Sequence, residues 1–172
     1  MHKLNNNIIL IGLMGTGKTT VGRQLARKLK MEFYDSDRVI EQRTGADIPL
    51  IFEKEGEQGF RDREQAVIDE LTQKKNIILA TGGGAILRPE NRHHMINRGT
   101  VFYLKSSLKT LLERTSKDKN RPLLHADESA ETILSRLLIE RGPLYEETAD
   151  YTIGTANNSI HSVIQAIIKS LD

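Results

Sequence analysis

Gly12-Leu13-Met14-Gly15-Thr16-Gly17-Lys18-Thr19 is a complete G-x-x-x-x-G-K-[ST] stretch standing between two segments of opposite character. Ahead of it, Ile8-Ile9-Leu10-Ile11 is wholly apolar and bounded by Asn and Gly, as a strand buried on both faces should be. Behind it, Val21, Leu25 and Leu29 fall on one stripe of a helix over residues 18–29. Strand, glycine turn and helix in that order are the context this motif needs. The glycines let the loop turn tightly and aim successive N–H groups inward, a nest for phosphate oxygens. The helix adds the positive end of its dipole. In such a loop Gly15, Thr16 and Gly17 cradle phosphate with Thr20 beside them. Lys18 brings a full charge to the β- and γ-phosphates, and Thr19 offers a hydroxyl ligand for Mg²⁺. A merely structural turn would not need Lys-Thr at this offset.

The rest of the chain alternates in the same way. Strands are expected at 32–34, 77–80, 101–104 and 151–153, each a short run rich in apolar or aromatic residues. Helices are expected at 37–43, 47–55, 58–73, from Pro89, at 107–114, at 129–141 and at 160–171. Pro89 suits a first helical position, and Gly142-Pro143 is expected to end the helix from 129. The last helix carries Ile160, Val163, Ile164, Ile167, Ile168 and Leu171 on one face. Strands separated by helices imply right-handed crossovers and a parallel sheet covered on both sides, an α/β fold of three αβα layers. Thr115 to Glu128 has no apolar period. A structureless stretch of that length is either functional or a mobile surface loop.

Composition narrows the classes. The 172 residues favour one domain. The absence of Cys excludes a disulfide framework, a thiolate zinc site and a cysteine nucleophile. Lys plus Arg is 25 and Asp plus Glu is 23, a net charge of +2 that does not mark a nucleic-acid binder. No apolar run approaches the roughly 20 residues needed to span a bilayer, and Ile8 to Gly15 runs straight into Lys18 as a strand and its turn rather than a signal segment. A cytoplasmic protein is expected. The five His residues, at 2, 93, 94, 125 and 161, show no metal-ligand spacing. All are read as solvated surface, although His125 adjoins the aperiodic segment and could touch phosphate.

The cradle does not say where the γ-phosphoryl group goes. GTPase switches need Asn-Lys-x-Asp and Asp-x-x-Gly runs, and neither is present. The third strand ends in Thr81 and glycines rather than in an acid. Metal support and base chemistry therefore fall to Asp35 and Asp37, at the C-terminal edge of the second strand where open α/β sheets place their ligands. On an extended backbone the two point the same way, and one of them could instead cap the following helix. Arg61 and Glu64 are one helical turn apart and could be no more than a surface ion pair. Gly82-Gly83-Gly84 after a buried strand suggests that something approaches the backbone closely. Arg141 extends the inward stripe of Ile133 and Leu137, so it must find an anion, either a ligand or a neighbouring acid.

Six blocks carry a resemblance. The Gly12 to Thr19 loop is followed by Phe33-Tyr34-Asp35-Ser36-Asp37, Gly56-Glu57 with Phe60-Arg61-x-x-Glu64, and Gly82-Gly83-Gly84. Asn120-Arg121-Pro122-Leu123-Leu124 and Glu140-Arg141-x-x-Leu144-Tyr145 complete the set. In order and spacing this resembles the shikimate kinase family, from about Ile8 to Tyr151. The resemblance implies a nucleoside-monophosphate-kinase-like P-loop fold with a five-stranded parallel sheet in the order 2-3-1-4-5. It implies phosphorylation of the 3-hydroxyl of shikimate by ATP, a step toward chorismate and the aromatic amino acids.

Carried onto this chain, the resemblance gives Asp37 the role of orienting or deprotonating the attacking hydroxyl. Arg61 and Arg141 clamp the shikimate carboxylate, Gly82, Gly83 and Gly84 contact the ring through backbone, and Phe52 and Phe60 shelve its apolar face. Asp35 supports Mg²⁺ with Thr19. Arg121 closes over the phosphates in a lid of about residues 115–128, and Arg114 lies against adenine. The acceptor-binding region spans about 37–64 of a single kinase domain, 1–172. The family often has an acid-Thr pair on its last strand. Here Gly154-Thr155 stands instead, leaving Asn158 as the candidate on that side of adenine. ATP and shikimate are the expected partners of a monomer, with no nucleic acid and no membrane. Another small-molecule P-loop kinase, for gluconate or a nucleoside monophosphate, is the rival reading, although no Asp-Gly-[FY]-Pro-Arg block is present. A nucleotide-sensing binding module is the other.

Overall fold

A computed structural model describes residues 6–115, 129–155 and 159–172. The strands are β1 (Ile8–Ile11), β2 (Glu32–Asp35), β3 (Ile77–Ala80), β4 (Thr100–Lys105) and β5 (Tyr151–Gly154). The helices are α1 (Lys18–Leu29), α2 (Ser36–Thr44), α3 (Ile48–Thr72), α4 (Pro89–Arg98), α5 (Leu108–Thr115), α6 (Ala130–Thr148) and α7 (Ile160–Leu171). A single 3-10 turn, Ala85–Leu87, follows the triple glycine. The five strands form one parallel sheet in the order β2-β3-β1-β4-β5.

Alternation along the strands divides the core in two. Ile8 and Leu10 point with Ile78, Phe102 and Leu104 toward α1 and α7. Ile9 and Ile11 point with Ile77, Leu79, Val101 and Tyr103 toward the layer built from the other helices. Both faces of β1 are therefore dry, which is why its sequence is apolar without a break. Each fully buried Ile or Leu is worth about 1.5–3 kcal/mol over leaving it exposed. At the opposite end of β1 from the nucleotide loop, buried Asn7 fastens four elements. Its Nδ2 donates to the carbonyls of Thr72, Lys74 and Arg98, and its Oδ1 accepts from the Ile77 N–H at 3.1 Å.

Two helices differ from the expected boundaries. The segments 47–55 and 58–73 form one run, Ile48–Thr72, broken only at Gly56, whose φ of 74° lies in the left-handed region open to glycine. Gly142-Pro143 does not end α6, which continues to Thr148. Pro143 cannot donate to the Ile139 carbonyl, and this stretch of the helix lies at the surface, with Ile139 77% exposed. The additional turn is held by Tyr145, which is fully buried, stacks on Tyr103 at 4.9 Å and donates to the Gly83 carbonyl. No helix among the described residues is long and apolar enough to cross a membrane.

Candidate active site

The C-terminal ends of β1, β2 and β3 open into one cleft. Between β1 and α1, Gly15 (φ 84°) and Gly17 (φ 91°) take the left-handed backbone that turns the loop, and no side chain caps the start of α1 among the described residues. The first N–H groups of that helix face the cleft uncapped, the arrangement that binds anions. Buried Lys18 folds back so that Nζ donates to the carbonyls of Gly12 at 2.6 Å and Leu13 at 2.8 Å. Thr16 is also buried, and its hydroxyl donates to the Leu13 carbonyl, bracing the loop. Gly15, Gly17, Lys18, Thr19 and Thr20 form one wall of a cavity of about 610 Å³. Arg114, from α5, closes another side and donates from Nη1 to the Gly15 carbonyl at 3.1 Å.

Asp35 does two things at once. Its Oδ1 accepts from the N–H groups of Asp37 and Arg38, capping α2, while its Oδ2 accepts the Thr19 hydroxyl at 2.7 Å. Helix cap and site residue, alternatives at the level of sequence, are the same carboxylate. Thr19 and Asp35 supply hard oxygen donors at the mouth of the phosphate cradle. A small divalent cation that keeps its waters and takes one or two carboxylates plus substrate phosphates fits that donor set. Asp37 corrects an expectation. The strand ends at Asp35 and Asp37 lies in the first turn of α2, so extended alternation does not align the two acids. Asp37 points instead toward the triple glycine, where an added Cβ on Gly82 would lie 2.7 Å from its Oδ1.

Beyond Asp37 the cleft narrows to a hollow of about 70 Å³ lined by Phe52, Phe60, Arg61, Glu64, Arg141 and the three glycines. The side chains crowd Gly82 and Gly84 and leave ordinary contact room only at Gly83. A Cβ on Gly84 would lie 2.3 Å from Arg61 Nη2, and one on Gly83 would lie 3.5 Å from Arg141 Nη1. Phe52 and Phe60 pack at 4.9 Å between centroids, with the Arg61 guanidinium 5.2 Å from the Phe60 ring.

Arg61 and Glu64 are not a surface pair. They are 6% and 0% exposed, and Nη1 donates to Oε1 at 2.9 Å. Burial pushes the Glu64 carboxyl up to about 7; Arg61 opposes the shift, Asp37 adds to it and Arg141 opposes it. Arg61 Nε and Glu64 Oε2 are buried without a hydrogen-bond partner among the described residues. Burial likewise holds the Tyr145 phenol well above its usual range.

The cleft thus gathers Gly15, Gly17, Lys18, Thr19, Thr20, Asp35, Asp37, Gly82, Gly83 and Arg114 around the larger space. Phe52, Phe60, Arg61, Gly84 and Arg141 join Asp37, Gly82 and Gly83 around the smaller. Arg121, Asn158 and His125 lie outside the described residues, as does 116–128 of the expected lid. Thr155, at the expected adenine end, is buried and hydrogen-bonded to the Ser106 hydroxyl. Glu64 is the site member the sequence reading undervalued. It sits on the α3 stripe of Phe60, Val67, Ile68 and Leu71, and a charge on an apolar stripe is the same signal that singled out Arg141.

A phosphate cradle that opens, past a carboxylate, onto a small hollow lined by two guanidiniums defines a P-loop phosphotransferase for a small acceptor. Comparison with known proteins narrows the class. The family model described as Shikimate kinase matches residues 14–172. A shikimate kinase of Legionella pneumophila (strain Corby) is 58% identical over 165 residues, 96% of this chain and 94% of its own. One of Vibrio parahaemolyticus is 53% identical over 166 residues, 96% of each. The solved shikimate kinase of Acinetobacter baumannii, in complex with shikimate, has a TM-score of 0.94 and 51% identity over 98% of this chain and 94% of that one. The chain belongs to the shikimate kinase family.

Proposed function

We propose that this chain transfers the γ-phosphoryl group of ATP to the 3-hydroxyl of shikimate, giving shikimate 3-phosphate and ADP. The observation that carries the geometry is that Asp37, Ile48, Gly82 and Gly83 line both the larger cavity beside the phosphate loop and the smaller hollow beyond it. The two substrates would meet there, with Asp37 at the junction.

The residues divide the work. Arg61 and Arg141 offer guanidinium forks to a carboxylate in the smaller hollow. Phe52 and Phe60 give the ring an apolar shelf, and the glycines let it approach the backbone. Asp37 then takes the hydrogen bond of the acceptor hydroxyl and receives its proton as the new P–O bond forms. Lys18 exchanges its loop carbonyls for phosphate oxygens, and Arg121 closes over them as part of a lid at about 115–128. Arg114 and Asn158 bound the adenine side. Thr19 and Asp35 would hold Mg²⁺, whose charge neutralises the phosphate oxygens when bound. Transfer between in-line oxygens needs positioning and charge neutralisation more than covalent help, and this set supplies both.

The same reading takes 1–172 as one kinase domain with an acceptor region at about 37–64, acting as a cytoplasmic monomer; light scattering and cell fractionation test those two points. The chemical reading is tested by ADP release from ATP with shikimate, gluconate or AMP as acceptor, with Mg²⁺ and with chelator. Turnover should require shikimate and the divalent cation. Turnover with gluconate or AMP instead would assign a different kinase, and nucleotide binding without acceptor-dependent turnover would point to a sensing module.

A further inference from the structure

Inside the small hollow the charges are arranged in two opposed pairs. Asp37 comes from α2, Arg61 and Glu64 from α3, and Arg141 from α6. With every group ionised these are two anions and two cations. The Arg61 guanidinium that faces the hollow is already engaged by Glu64 Oε1 at 2.9 Å, with Glu57 of the same helix 3.6 Å from its other nitrogen. The glycine loop and Met14 bring no titratable group, and the Tyr145 phenol beside Arg141 stays protonated. A carboxylate entering this space would make a third anion against two cations whose side chains are themselves buried, where such an imbalance is costly.

Glu64 is the group able to relieve it. It is fully buried, its Oε2 has no hydrogen-bond partner among the described residues, and burial has already brought its carboxyl close to neutrality. Oε2 and Asp37 Oδ1 lie 3.1 and 2.7 Å from one point, the position a Cβ on Gly82 would take. Glu64 therefore sits between a neighbouring carboxylate and the guanidinium at which the acceptor would arrive.

We propose that Glu64 is a proton-linked positioning residue: it takes one proton from solvent as the acceptor's carboxylate docks, and this loosens its hold on Arg61 so that the guanidinium can turn to the acceptor. This rests on the acceptor reading given above. The balance is simple. A solvent proton joins the Glu64 carboxylate, the acceptor carboxylate replaces it at Arg61, and the net charge of the hollow does not change. On product release the proton returns to solvent.

Isothermal titration of the full chain with shikimate, in two buffers of different ionisation enthalpy at mildly alkaline pH, reads the proton directly. The observed enthalpy should differ between buffers by an amount corresponding to uptake approaching one proton. Shikimate affinity should weaken as pH rises above neutrality, approaching about tenfold per pH unit. Glu64→Gln, which keeps an oxygen for Arg61 but cannot titrate, should abolish the buffer dependence and flatten the affinity profile. Asp37→Asn takes one anion out of the same count, so its proton uptake should shrink. Should Glu64→Gln not fold, the wild-type buffer comparison and the pH dependence of affinity still decide. Shikimate binding with the same enthalpy in both buffers overturns the proton linkage and leaves the acceptor assignment standing. Persistence of the buffer dependence in Glu64→Gln would place the proton on another group and overturn the proposal equally. Absence of shikimate binding in either buffer overturns the acceptor assignment, and the linkage falls with it.

Discussion

The Thr19 hydroxyl donates to Asp35 Oδ2 at 2.7 Å, tying the first turn of α1 to the last residue of β2. The other oxygen of Asp35 caps α2, the helix that carries Asp37. One carboxylate therefore links the phosphate cradle, the candidate metal position and the placement of the candidate base. Asp35→Ala should lose the cap, worth about 0.5–2 kcal/mol of stability, and should also raise the divalent-ion concentration needed for turnover. Thermal melts and a metal titration of the rate check both; an Asp35→Ala enzyme with an unchanged metal requirement would remove Asp35 from the metal site.

Asp37→Asn keeps shape and hydrogen bonding but not basicity. If the carboxylate accepts the hydroxyl proton, the turnover number should fall by about 10²–10⁴-fold with the melting temperature little changed. A variant that turns over normally would assign Asp37 to orientation alone.

Arg61→Ala and Arg141→Ala should each weaken shikimate binding by about 1.5–3 kcal/mol, the range for a charge-assisted hydrogen bond. They should differ in folding. Arg61→Ala also leaves the buried Glu64 without its counter-charge, so it should be the less stable of the two, most of all above neutral pH where Glu64 would have to carry its charge. Equal melting curves at every pH would contradict the buried pair.

Glu64 also sets a slope of stability against pH. Its carboxyl sits at about 7 against an ordinary 4.5, so between those values the folded chain holds a proton that the unfolded chain releases. Stability is therefore greatest below the lower value and falls as pH rises through the upper one, by on the order of 3 kcal/mol in full. Melting temperatures of the wild type and Glu64→Gln across this window should diverge, with the variant lacking this decline. Parallel curves would show that Glu64 does not titrate there.

Gly82→Ala places a methyl group 2.7 Å from Asp37 Oδ1 and 3.1 Å from Glu64 Oε2. Displacing a reacting group by about 1 Å can cost about 10²-fold in rate, and a loss of that order is expected. Gly142→Ala, where nothing lies within 4 Å of the added carbon, is the matched control and should be silent. Steady-state rates of the two variants make the comparison.

Much of the fold was legible because its signals are local. An unbroken apolar strand, a glycine turn and an amphipathic helix can each be read from a dozen residues, and all five strands lie where the pattern places them. The strand order came through family resemblance, since alternation of strand and helix fixes a parallel sheet but not which strands are neighbours. What local pattern missed depends on distant partners. Pro143 reads as a stop, yet Tyr145 is held by Tyr103 and Gly83 from elsewhere in the chain. Arg61 and Glu64 read as an exposed pair because i,i+3 spacing says nothing of depth, which is set by the glycine loop packing over them. Asp35 and Asp37 read as neighbours on a strand, and the cap on α2 starts the helix between them.

A structure of the chain with shikimate, Mg²⁺ and a non-hydrolysable ATP analogue tests the central claim most directly. The account predicts the shikimate carboxylate between Arg61 and Arg141, its 3-hydroxyl within hydrogen-bond reach of Asp37, and the terminal phosphorus in line with that hydroxyl. Shikimate seated away from the terminal phosphate, or with its carboxylate turned from both arginines, would contradict it.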